Sequence, residues 1–360
     1  MRVLTLTKRM IEDGSAYKDW ADPQGTGTIG GAYQELLFSF CDEEDPVSLV
    51  AMTDDGPVGQ VNFLKGLLHL EDSTIPVFWA AGLSVKPDHR NTGAGMLLLA
   101  KSRSIKPAVG VVSVSQQAVP LYIKLGWRLF TLPRYVFPVK PSTYFLRKFG
   151  VSLVARCIGF VADSISRAYR RTVIYLSDRR ARRYRIALAN EIALEEEDKF
   201  NSYTRRPYRT HRSTQWVNRI MSEGPMQNSR RLFLVYGDDE ELAGYFIVTT
   251  ALRRGVAGGK YGDLRVASIR DWVAFRTSDL TDDDLLLFGL RELLRAECDV
   301  AEICVPESES ASILRGRGMI RMGEQHFFIR FNSPIENDAP GIDEPENWWF
   351  RPGDGDAFLL

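Results

Sequence analysis

The sequence predicts an α/β (α+β) protein of two related domains, each a mixed, mostly antiparallel twisted sheet flanked by helices. Three observations predict it. Short apolar runs alternate with Gly, Pro and Asp turns over most of the chain, the pattern of strands and brief helices. In the first third, a loop with two glycines one residue apart opens an apolar helix. Similar landmarks then return, in the same order, in the second half. A length of 360 residues also suits two domains at roughly 100–200 residues each.

Residues 1–140 form the first expected domain. "SLVAMTDDGPVGQVNFL" reads as two strands around an Asp-Asp-Gly-Pro turn, and "PVFWAAGLSV" as a third strand. "AGMLLLAKSRSI" is a helix and "VGVVSV" a strand. "QQAVPLYIKLGW" is a short helix with Pro120 near its start, where no N–H is needed, and Gly126 closing it. "RYVFPVK" is a further strand. Residues 141–190 form a basic helical linker: Arg147 to Arg185 hold eleven Lys/Arg against two Asp. Residues 191–333 return to the strand-and-helix pattern. Residues 334–360 are an acidic Trp/Gly/Asp-rich tail, irregular and anchored by Trp348 and Trp349.

The repeat rests on three pairs of segments: "GPVGQVNF" with "ELAGYFIV", "IPVFWAAGL" with "SIRDWVAF", and "LYIKLGWRLF" with "LRGRGMIRMG". Trp79 to Gly126 spans 47 residues and Trp272 to Gly318 spans 46. This pairing aligns Tyr122 with Leu314.

Composition excludes several classes. Lys+Arg and Asp+Glu balance at 46 each, so global charge names no polyanionic partner. The four cysteines, Cys41, Cys157, Cys298 and Cys304, lack zinc spacing; no metal site is expected, and free thiols in a reducing compartment are. "MRVLTLTKRMIEDGS" holds no long apolar stretch, and no uncharged apolar run spans a bilayer. A cytoplasmic location is therefore expected.

The chemistry concentrates in "VKPDHRNTGAGMLLLA". Glycines permit a close or left-handed backbone, and a helix start offers unpaired N–H groups and a positive dipole end. Together they suit a phosphate. The segments "LSVKPDHRNTGAGMLLL" and "SQQAVPLYIKLGW" resemble the two coenzyme motifs of the GCN5-related N-acetyltransferase superfamily, over roughly Val47 to Lys140. The resemblance implies that Arg90, Asn91, Thr92, Gly93, Ala94 and Gly95 hold the pyrophosphate of acetyl-CoA or another acyl-CoA. It implies that pantetheine pairs with the strand edge at Leu83, Ser84 and Val85, and that Tyr122 protonates the leaving thiolate. Ser115 stands where the family frequently has Asn and would bond the coenzyme backbone.

No carboxylate lies in "FWAAGLS", where many relatives place a general base. Glu35, His69, Glu71 and Asp72 are candidates to replace it; His89 is expected to be a loop residue. In the second copy "RTSDLTDDDLLLFGL" has no paired glycines and carries three aspartates, so this copy is expected to be degenerate and without coenzyme. Arg205, Arg206 and Arg209, just before it, are candidates for an anionic substrate group. The basic linker is expected to pack between the domains with its arginines outward and the acidic tail as internal partner. A peripheral membrane contact is the alternative, and a nucleic-acid partner is not expected. The function implied is acyl-CoA-dependent N-acetylation of a primary amine on a small-molecule or sugar-type acceptor. A non-catalytic scaffold retaining the fold, or an acyltransferase taking long chains from a carrier protein, are the alternatives.

Overall fold

The turn at Asp54–Asp55 joins β2 (Pro46–Thr53) to β3 (Gly56–Leu70), as the sequence predicts, and a second tight turn at Glu71 joins β3 to β4 (Ser73–Val85). The computed structural model describes residues 1–13, 37, 38, 40–71, 73–112, 114, 116, 118–149, 152–202, 206–223, 229–254, 262–306, 310–332 and 340–354. Ahead of β2 lie β1 (Arg2–Thr7) and α1 (Lys8–Glu12). After β4 come α2 (Ala94–Ser102), β5 (Ala108–Val112), α3 (Val119–Lys124) and β6 (Arg128–Pro138). Helices α4 (Pro141–Phe149) and α5 (Leu153–Ala181) follow, then β7 (Arg185–Ala189), β8 (Tyr208–Thr210) and α6 (Thr214–Ser222). The remainder is β9 (Arg230–Tyr236), β10 (Leu242–Arg253), β11 (Leu264–Ala274), α7 (Asp282–Arg295), β12 (Val300–Cys304), α8 (Ala311–Gly316), β13 (Ile320–Phe331) and β14 (Trp348–Trp349).

One continuous sheet runs in the order β1-β2-β3-β4-β5-β13-β6-β12-β11-β10-β9-β7, with β8 and β14 off this path. The order reads alike from both ends. β4 pairs β5 in parallel, and β11 pairs β12 in parallel. At the centre the halves exchange their last strands: β13 inserts beside β5, and β6 pairs β12. Neither half therefore completes its sheet alone.

Backbone geometry supports the pairing of Tyr122 with Leu314. The Trp127 N–H donates to the Tyr122 carbonyl and the Met319 N–H to the Leu314 carbonyl, each at 3.1 Å. Gly126 and Gly318 take the left-handed conformation at φ 76° and 69°. Gly59, opposite Val85, and Gly244, opposite Ala274, also correspond; a Cβ on either would press on a β4 or β11 carbonyl, that of Ser84 or Val273. The tryptophan landmark is corrected. Trp79 packs on the sheet face away from α2, its ring where a Cβ on Gly110 would lie, whereas Trp272 packs with Leu285, Leu286 and Phe288 on the α7 side. The β4 bulge between Ala81 and Ser84 shifts the alternation of faces, so the two tryptophans face oppositely and their similar spacing is coincidental.

Helix α5 packs inward through small residues, Ala155, Gly159, Ser166 and Ser177 among them. A Cβ on Gly159 would come within 3.0 Å of Ser142 on α4. Its outward face is not arginine alone: Leu153, Val154, Phe160 and Ile165 are exposed there. Nor, among the described residues, is the tail its ionic partner. Arg180 pairs with Asp284 of α7 at 2.6 Å, and Asp178 takes Arg291 and Arg295. The tail's Asp343 instead meets Arg128, and Asp354 meets Arg212. Trp348 and Trp349 are buried, as expected of anchors, and their strand pairs β8. Among the described residues no helix is long and apolar enough to cross a membrane, and the four cysteines form no disulfide.

Candidate active site

Two strands diverge at the predicted coenzyme site. Parallel pairing runs from Val77↔Ala108 to Ala80↔Val111 and stops, while β4 continues to Val85. Gly82 sits at φ 61°, and the β3–β4 register shifts between Gln60↔Ser84 and Asn62↔Ala81. This bulge turns β4 away from β5. Leu83 is 42% exposed on the freed edge, with Ser84 and Val85 half-buried beside it.

The glycine loop lies at the end of this gap. Pro87–His89 form one 3-10 turn, and the Thr92 hydroxyl donates to the His89 carbonyl at 2.7 Å. Arg90, Asn91 and Thr92 are exposed, and Arg90 makes no ion pair among the described residues. Gly93 is the N-cap of α2 at φ 82°, with no side chain capping the helix. A side chain there is strained, and the space around its Cβ position is open. Ala94 is buried and a Cβ on Gly95 would come to 3.5 Å from the Val85 side chain, so the first N–H groups of α2 sit over the end of β4. Tyr122 is 3% exposed, deeper than an amphipathic helix surface would place it. Its ring stacks on Phe328 at 4.9 Å and meets the edge of Trp127 at 5.2 Å, beside Val109, Val111 and Leu98. Ser115 lies outside the described residues.

The candidate bases are not gathered here. Glu35 and Asp72 lie outside the described residues. His69 and Glu71 sit at the opposite end of β4: Thr74, bonded to His69, precedes Leu83 by nine residues, about 30 Å of strand. His69 bonds His211 at 2.8 Å, and burial with Arg209 nearby lowers its pKa to about 4. Glu71 accepts from Tyr208 at 3.5 Å. His89 serves the loop turn through its carbonyl. Of the anion candidates, Arg205 lies outside the described residues, Arg206 donates to the Trp348 carbonyl, and Arg209 is built into β8 opposite His69. Among the described residues no group of His, Cys, Asp and Glu is arranged for a metal ion.

The matching gap in the second half is filled. The Gly353 N–H donates to the Arg270 carbonyl at 2.6 Å, and Arg351 reaches the Trp272 carbonyl at 3.5 Å, so the tail lies along the β11 edge. Arg351 then pairs with Asp282 in the first turn of α7 at 2.6 Å. Arg212 bonds Asp271 at 2.9 and 3.2 Å and also Asp354, all three buried. These carboxylates hold the Arg212 pKa well above its ordinary value against the burial that lowers it, while burial raises that of Asp354. Sequence reading missed this network, because its members lie 59 to 142 residues apart. It also missed Gln60 and Asn62, two polar residues alternating with Val61 and Phe63 in β3 and thus a signal that was available.

No protein-family model matches the chain, and no curated protein matches it. Among solved structures, Saccharomyces cerevisiae N-myristoyltransferase with bound myristoyl-CoA aligns at a TM-score of 0.54 and 12% identity, covering 96% of this chain and 83% of that one. A GCN5-related N-acetyltransferase from Kribbella flavida aligns at 0.48 and 12%, over 92% and 71%. A tandem GNAT protein from the clavulanic acid biosynthesis pathway aligns at 0.47 and 15%, over 92% and 99%. At 12% identity the likeness is one of fold, shared with the N-myristoyltransferase structure.

Proposed function

We propose that the first half binds an acyl-CoA and transfers its acyl group to a primary amine, and that the second half binds no coenzyme. The observation that carries this reading is the contrast between the two gaps: one opens beneath an uncapped helix start, and the other holds the chain's own tail. In the first, the N–H groups of Gly93 to Met96 and the dipole of α2 would receive the pyrophosphate. The freed edge at Leu83 to Val85 would pair with pantetheine.

The amine nitrogen attacks the thioester carbonyl carbon, and the Leu83 N–H stabilises the oxygen as it gains charge. The C–S bond then breaks. Tyr122 gives its phenolic proton to the departing sulfur and recovers one from the nitrogen by way of water, leaving an amide and free coenzyme A. Its ring is held among Phe328, Trp127 and Leu98, which fix its position. Acyl length stays open between acetyl and longer chains.

The test is mass detection of copurified coenzyme, then a panel of amines assayed for released thiol. Coenzyme bound with no thiol released by any amine would support the scaffold alternative. No coenzyme bound at all would remove the acyl-transfer reading.

A further inference from the structure

Gln60 and Asn62 stand apart from every other pair in the β3 strand. Val61 and Phe63 pack on the α2 side, so their neighbours Gln60 and Asn62 face the other way, as do Leu64 and Trp79. Both are fully buried, and none of their four side-chain amide atoms has a hydrogen-bond partner among the described residues. Buried amides left this way weaken a fold, so four together call for a ligand that meets them.

Their position is beside the proposed reacting centre. Gln60 pairs Ser84 and Asn62 pairs Ala81, flanking the Gly82–Leu83 bulge. Cross-strand Cβ atoms lie about 5 Å apart, and two residues along a strand add about 7 Å. The amides therefore reach to within about 10 Å of the Leu83 N–H. Their neighbours are small: Ser48 stands opposite Asn62 on β2, and Ala81 and Gly82 lie on β4.

The second half supplies the control. Gly244 corresponds to Gly59, which places Tyr245 and Ile247 where Gln60 and Asn62 stand. The Tyr245 hydroxyl donates to Asp271 at 2.8 Å, and Ile247 needs no partner. Only the half with the open gap leaves polar atoms unmet at these positions.

We propose that Gln60 and Asn62 bind the acceptor, taking a neutral hydrogen-bonding group, hydroxyl or amide, that it carries near its reactive amine. A carboxamide both donates and accepts but carries no charge to compensate a buried ion. The acceptor class is therefore an amine bearing a neutral hydroxyl or amide, such as an amino sugar or amino alcohol, rather than an amino acid carboxylate or a bare alkylamine. This inference rests on the acyl-transfer reading.

The near-isosteric variants Gln60→Met and Asn62→Leu test it, with glucosamine, propylamine and glycine as probes. The wild-type protein should prefer glucosamine in kcat/KM, and each variant should lose about 10-fold or more of that preference. Coenzyme affinity by calorimetry should not change. Each variant's Tm without ligand should rise by about 1–3 °C, because unmet polar atoms are gone. Asn62→Ala carries the same selectivity expectation should leucine not fit. A fall in Tm with unchanged selectivity would make the pair structural and overturn the proposal. If no amine releases thiol, the acyl-transfer reading fails by itself. Saturation-transfer NMR with glucosamine then decides the site: binding lost in both variants supports it, and binding absent or unaltered overturns it.

Discussion

The two halves share a strand order, a pair of diverging strands and a helix starting above the gap, yet they treat their polar groups in opposite ways. In the first half α2 begins at an uncapped Gly93, and Gln60 and Asn62 are buried without partners among the described residues. In the second, Thr281 and Asp284 close a capping box on α7, and each of its three first-turn acids has a partner: Arg351 for Asp282, Ser310 for Asp283 and Arg180 for Asp284. Acids at a helix start complement its dipole, so the aspartates stabilise the helix as well as excluding a phosphate. One backbone thus serves two ends. On the proposed reading, groups left unmet would make a binding site at a cost in stability, and groups fully met make a brace.

The strongest way to break this contrast is Gly93→Asp. A carboxylate about 4 Å from a phosphate costs about 4 kcal/mol at an effective dielectric of 20, or roughly 1,000-fold in affinity, and the left-handed φ adds strain. Calorimetry should find one coenzyme per wild-type chain and none in the variant. Two coenzymes per chain would show that the tail does not close the second gap.

On the other side, Arg212→Met strands Asp271 and Asp354 without their cation. Breaking a buried pair in this way costs about 3–5 kcal/mol, readable as a lower urea midpoint. A midpoint that does not move would mean that the network does not brace this half.

The equivalent positions Tyr122 and Leu314 sharpen the comparison. Tyr122→Phe should lower kcat about 100-fold and leave coenzyme affinity unchanged, since the hydroxyl acts on the leaving sulfur. Leu314→Ala should cost about 2–5 kcal/mol of stability through a core cavity and leave kcat per folded molecule intact. Full activity in Tyr122→Phe would move the acid role to water.

The smallest expected effect belongs to the contact between halves where His69 of β3 meets His211. With a pKa near 4 against an ordinary 6.5, native His69 binds a proton more weakly than the unfolded chain does. Its contribution is complete above pH 6.5 and is lost as pH falls toward 4. His211 is lowered too, by burial and Arg212. His69→Gln should flatten the pH dependence of stability over that window; an unchanged slope would assign it to other groups.

Much of the local structure was determined by the sequence alone. The Asp54–Asp55 turn, the glycine loop before α2, Pro120 at the start of α3 and Gly126 at its close each depend on backbone preferences that act within a few residues. The resemblance to the acyltransferase motifs rested on those same short segments. Only the tertiary structure decided the rest. Exchange of β6 and β13, the tail lying on β11, the Arg212 network and the distance of His69 from the glycine loop all join residues far apart in the chain. Periodicity also could not tell Trp79 from Trp272, because a bulge changes which face a strand residue takes without changing its spacing. Gln60 and Asn62 were legible as polar residues in a strand, but their lack of partners is a property of everything packed around them.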